Sequence, residues 1–193
     1  MGSKKGQKVT ISGEEYCDIL GDILHEYFNR IISDDEIFLA LGLDSGNMQK
    51  FAIELSIVLG VMAVRLFGLK HNNDGLKGFT RANIMTKIEE NIFDFDGKEK
   101  DNYEDLFDQR YNMFASLIST EKSSYDVRSS FLGFARFLIS QFSDKQEDEN
   151  KEIIQKASSH IVEYGEIVSR FIANSRIKTT SALTGKYEFI ITI

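Results

Sequence analysis

Leu55-Ser56-Ile57-Val58-Leu59-Gly60-Val61-Met62-Ala63-Val64 decides the fold. The run carries one hydroxyl and no charge, and Glu54 and Arg65 bracket it. A membrane-spanning helix needs about 20 apolar residues, and charges so close to its centre are costly. The stretch therefore reads as the middle of a helix from Asn47 to Leu69, buried on nearly all sides within its own protein. Ala52, Ser56, Gly60 and Ala63 share one face of that helix. Small side chains at this spacing let another helix approach closely.

Helical periodicity continues on both sides of this spine. Ser12 and Glu15 form a capping box. Behind them Tyr16, Leu20, Ile23, Leu24, Tyr27 and Ile31 recur at threes and fours, which predicts a helix over residues 13–33. Ser33 with Glu36 reads as a second capping box, opening a short helix that ends near Gly42. The segment from His71 to Gly78 is rich in Asn and Gly and reads as a loop. Helices are predicted over residues 80–95, 103–119, 125–142 and 147–174. The last is the cleanest amphipathic pattern, with Ile154, Ala157, Ile161, Tyr164, Val168 and Phe171 on one face.

The end of the chain changes character. Tyr187, Phe189, Ile191 and Ile193 alternate, as on one face of a β-strand. A lone strand is not stable in water. Val9–Ile11 is the other strand-like segment. These four residues are therefore candidates for an interface, formed by pairing across a homodimer or on a partner's sheet edge.

The expected fold is all-α: six or seven helices in one orthogonal or bundle-like domain around a buried central helix, with a short C-terminal strand. Residues 1–11 read as a flexible basic tail, 12–175 as the helical domain, and 176–193 as an extension ending in the strand. The small faces Ala52/Ser56/Gly60 and Ser129/Gly133 are expected to lie against each other.

Composition narrows the function. Of the 193 residues, 30 are acidic and 23 basic, a net charge of −7, which disfavours loose binding to phosphate backbones. There is no proline, which excludes a Pro-rich linker. The single cysteine, Cys17, excludes a disulfide framework, and with no secretory signal the expected location is the cytoplasm. The start Met1-Gly2-Ser3-Lys4-Lys5-Gly6 departs from a myristoylation signal, which wants Ser or Thr where Gly6 stands.

No catalytic constellation stands out. The sequence has no phosphate-cradling glycine loop, no Gly-x-Ser-x-Gly and no His-Glu-x-x-His. Cys17 has no local base. Asp22 with His25 and His160 with Glu163 are three apart on helices, but one pair has Asp for Glu and the other runs in reverse order to the di-iron pattern. The segment 94–97 fails as a calcium loop, because its register puts Ile92 and Tyr103 where oxygens are required. No metal site and no cofactor is assigned.

Residues 34–54 match a loose helix-turn-helix. Ile37 and Leu41 precede Gly42, Leu43, Met48 and Phe51 follow it, and Ser45, Asn47, Gln49 and Lys50 would face a DNA groove. Against this stand Asp34, Asp35, Glu36 and Asp44. Glu54, Arg65 and Arg136 are charges inside apolar helices; each either reaches solvent along its own side chain, the favoured reading, or meets a partner, and Glu54 with Arg136 is the candidate ion pair.

Three function classes follow. The first is a non-enzymatic helical protein–protein interaction or regulatory module, self-associating, with a protein partner or homo-oligomer rather than nucleic acid or membrane. The second is a DNA-binding regulator. The third is a helical protein holding an apolar ligand or a metal.

Overall fold

The computed structural model describes residues 7–93, 97–114, 124–143, 151–181 and 186–192. Residues 1–6 of the basic tail, the centre of the rejected calcium loop, the charged run 144–150 and Ile193 lie outside the described residues. The described residues form seven helices and a small antiparallel sheet made from the two ends of the chain. In order these are β1 (Lys8–Ser12), α1 (Gly13–Ile32), α2 (Asp35–Leu41), α3 (Ser45–Lys70), α4 (Asp74–Asn91), α5 (Gly97–Met113), α6 (Ser124–Ser140), α7 (Lys151–Ala173), β2 (Ser175–Ser181) and β3 (Lys186–Thr192).

Helix α3 is the spine. It is long and apolar enough to cross a bilayer, but most of that apolar window is buried by α1, α4, α5, α6 and α7. Every residue from Leu55 to Val64 is buried. The hydroxyl in that run is also satisfied. Ser56 Oγ donates to the Ile53 carbonyl (2.8 Å) and accepts from the buried Tyr103 hydroxyl (3.0 Å). Tyr164 of α7 donates to the Leu59 carbonyl at 2.9 Å. These bonds offset much of the cost of burying two phenols.

The small face of α3 meets α4 and α5 rather than α6. A methyl group added at Gly60 would stand 2.9 Å from Phe107 and 3.2 Å from Ile88. Ser129 and Gly133 are therefore not its counterpart. The tightest approach lies elsewhere, between α6 and α7, where a methyl group at Gly165 would fall 2.5–2.8 Å from the Phe131 ring. Gly165→Ala should lower the urea-unfolding free energy by about 1–2 kcal/mol. Overpacking costs about 1–3 kcal/mol, and the helix-propensity gain of about 1 kcal/mol offsets only part of it. In a Phe131→Leu background the same change should be neutral or stabilising. Gly78 of α4 has nothing within 4 Å, so Gly78→Ala should stabilise by about 0.5–1 kcal/mol. A destabilising Gly78→Ala, or a neutral Gly165→Ala, would show the packing to be otherwise.

Two helix starts differ from expectation. The Ser12/Glu15 box forms with both of its hydrogen bonds. Helix α2, however, is capped by Asp34, whose carboxylate accepts from the Glu36 amide, and not by Ser33. Helix α4 begins at Asp74, inside the expected loop. Asn73 caps it by accepting from the Leu76 amide, and burial of Leu76 and Thr80 outweighs the helix cost of Gly75 and Gly78.

The C-terminal strand is the centre of the sheet, with strand order β1-β3-β2. Both edges of β3 are taken by the chain's own strands, through Ile11 opposite Phe189 on one side and Ile177 opposite Phe189 on the other. Pairing of this strand across a homodimer or on a partner's sheet is thereby replaced by intramolecular pairing. Phe189, 1% exposed, stacks on Tyr16 of α1 at 4.1 Å between centroids. The Tyr16 hydroxyl donates to Ser175 Oγ (3.0 Å), which itself donates to the Ile172 carbonyl. The sheet therefore locks the end of α7 to the start of α1.

Candidate functional site

Helix α2 has two turns and five consecutive apolar residues, Ile37-Phe38-Leu39-Ala40-Leu41. Successive residues turn by about 100°, so Leu39 points roughly 200° away from Ile37, and both cannot enter one core. The core takes Ile37, fully buried, and Phe38, whose ring meets Phe51 edge-on at 5.5 Å. Gly42 closes the helix with φ +61, a left-handed conformation that glycine adopts without strain. Leu39 is left 80% exposed, more than any other large hydrophobic residue among the described residues.

Ionic contacts clasp α2 to the first half of α7. Lys156 Nζ lies 3.0 Å from Asp34 Oδ1 and also contacts the Glu36 carboxylate. His160 Nε2 stands 3.6 Å from Asp34 Oδ2. Burial acts to raise the Asp34 pKa, but Lys156 and the Glu36 and Ile37 amides outweigh it and hold the carboxyl below its usual range.

Beside Leu39 runs a groove of about 460 Å³ between α2 and α7. Ile37, Ala40 and Ile153 form its floor, and Glu36, Glu152 and Lys156 its rim. A second groove of about 440 Å³ runs on the other side of α7, against α6. There Leu132, Ile154 and Val162 are ringed by both signs of charge, Arg136 and Lys151 with Glu163 and Glu166. Arg30 holds Glu163 at 3.5 Å, so that rim is partly committed. Burial first, and then the neighbouring Glu163, push the Tyr27 hydroxyl up to about 12, so it stays protonated.

The residues singled out from sequence are scattered. Ser45, Asn47, Gln49 and Lys50 are exposed in the first turns of α3, where the Asp44 carboxylate accepts from the Asn47 amide at 2.8 Å. From Phe51 to Phe67 most of this helix is buried. Tyr187 and Ile191 are half-buried, and with Phe189 they pack on the chain's own core. Glu54 is held by Arg110 of α5 at 3.0 and 2.6 Å, while its candidate partner Arg136 stands exposed at the α6–α7 groove. Arg65 lies over the Tyr111 ring at 3.7 Å and donates to the Tyr111 carbonyl.

Among the described residues, no group of three or more His, Cys, Asp or Glu side chains could hold a metal. His25, His71 and His160 belong to different parts of the fold, and Cys17 is buried in α1. Burial pushes the Cys17 thiol up to about 12, far from nucleophilic use near neutral pH. The α2–α7 groove was missed in the sequence. Its signal was the surplus apolar residue of α2, which no two-turn helix can hide. No family model, curated protein or solved structure matches the chain.

Proposed function

We propose that the protein is a helical interaction module that binds another protein through the α2–α7 groove. The observation that carries this reading is Leu39, 80% exposed on a helix clasped in place beside an apolar floor. Fully burying a leucine is worth about 1.5–3 kcal/mol, which a partner can recover and the isolated chain forgoes. The acidic residues around α2 and Asp44 oppose phosphate approach, which weighs against the DNA-binding alternative at Ser45, Asn47, Gln49 and Lys50.

A photo-cross-linking amino acid at position 39, with the exposed position 112 as control, tests the reading in the protein's own cells. The expected result is one dominant adduct from position 39, whose purified partner binds the native chain and loses at least tenfold in affinity with Leu39→Asp. Identical adducts from both positions, or a partner indifferent to Leu39→Asp, would remove it.

A further inference from the structure

We infer that the occupant of the α2–α7 groove is a basic amphipathic helix, with one apolar anchor seated against Leu39 and lysine or arginine on its flanks; this rests on the interaction reading above. Both walls are helices, whose backbone groups are spent within them, so an occupant is recognised by its side chains and not by adding a strand. Packing of ridges into grooves favours a third helix there.

Charge decides which helix. The helix α2, its caps and the first two turns of α7 carry Asp34, Asp35, Glu36 and Glu152 against Lys151 and Lys156. Lys156 is engaged by Asp34 and Glu36. Asp35 and Glu152 are exposed, with no cation on either among the described residues. A second copy would set this acidic fringe against its own image, and the chain's charge of −7 adds to that repulsion. A basic partner relieves both.

The test uses the full chain and three fluorescein-labelled amphipathic peptides. All share one leucine stripe, and their polar positions are lysine, glutamine or glutamate. Fluorescence anisotropy is read at low and at moderate salt. The lysine peptide should bind at least tenfold tighter than the glutamine peptide, and the glutamate peptide weakest. Asp35→Lys with Glu152→Lys should cost at least fivefold.

Leu39→Asp is the decisive variant, because it removes the apolar seat of the anchor while adding a carboxylate. A seated helix should lose at least tenfold, whereas general attraction between opposite charges would tighten. Leu39→Gln should lose affinity as well, and circular dichroism should show both variants folded, since Leu39 is largely outside the core.

Equal binding of all three peptides, or unchanged or tighter lysine-peptide binding to Leu39→Asp, would overturn the inference. So would self-association of the native chain in sedimentation that Leu39→Asp abolishes, because the groove would then hold a second copy. If every peptide fails while cross-linking from position 39 still yields a Leu39-dependent partner, only the basic-helix inference falls. If the cross-linking fails too, the interaction reading falls with it.

Discussion

Arg110→Ala should cost about 3 kcal/mol of unfolding free energy, a large loss for one side chain. Glu54 enters the core as part of α3, immediately before the charge-free run. Its side chain is 12% exposed and that of Arg110 18%. The guanidinium meets the carboxylate with two donors, Nε at 3.0 Å and Nη2 at 2.6 Å, and rests on the Phe137 ring at 4.9 Å. One contact set thus joins α3, α5 and α6. Truncating Arg110 removes both guanidinium donors from a carboxylate that water barely reaches. A stranded buried charge costs more than the intact pair contributes. The double variant Glu54→Leu/Arg110→Met should therefore return to within about 1 kcal/mol of the native protein, since apolar replacement of both partners is close to neutral. Urea unfolding of the two single variants and the double variant closes the cycle. A loss under 0.5 kcal/mol for Arg110→Ala, or a double variant no better than the single, would show that the pair is screened by solvent.

The same pair shows what could be read in advance. The burial of Glu54 was legible, because its neighbours on both sides are apolar. Its partner was not, because the helix period says which residues share a face and not which helix crosses that face. A clue existed nonetheless. Arg110 is three residues after Phe107 and four before Phe114, both buried, so it lies on the inner stripe of α5. The spine α3 and the amphipathic α7 were clear because their patterns are long. Strand β2 was missed because Arg176-Ile177-Lys178-Thr179-Thr180 offers one large apolar residue, as an edge strand with charged positions does. Its Ile and Thr content was the only local signal. Finding β2 changes the meaning of the C-terminal strand, which then has two partners within the chain and requires none from outside.

The protein should lose stability on mild acidification through His71, with a loss approaching about 3 kcal/mol by pH 4. His71 ends α3, its amide donating to the Phe67 carbonyl at 2.9 Å. The residue is 7% exposed, its ring 4.7 Å from that of Phe67 and 6.0 Å from that of Phe189. Nε2 has no hydrogen-bond partner among the described residues. Burial, and secondarily the charge of Lys70, lower its pKa from 6.5 to about 4. The native ring therefore stays neutral where the unfolded chain takes up a proton. Its contribution is complete above pH 6.5 and is lost as pH falls toward 4. The Asp34 carboxyl, held below its usual range, contributes stability that is lost only as pH falls through and below that range. Urea midpoints at pH 7 and pH 4.5, taken on the native protein and on His71→Leu, separate the histidine from the carboxylates. His71→Leu should flatten the difference between the two pH values. Amide exchange should quicken first in β3, because a charged ring beside Phe189 disturbs the strand that the rest of the sheet depends on. Equal pH slopes for the native protein and His71→Leu would mean that the ring gains a proton without leaving its aromatic surroundings.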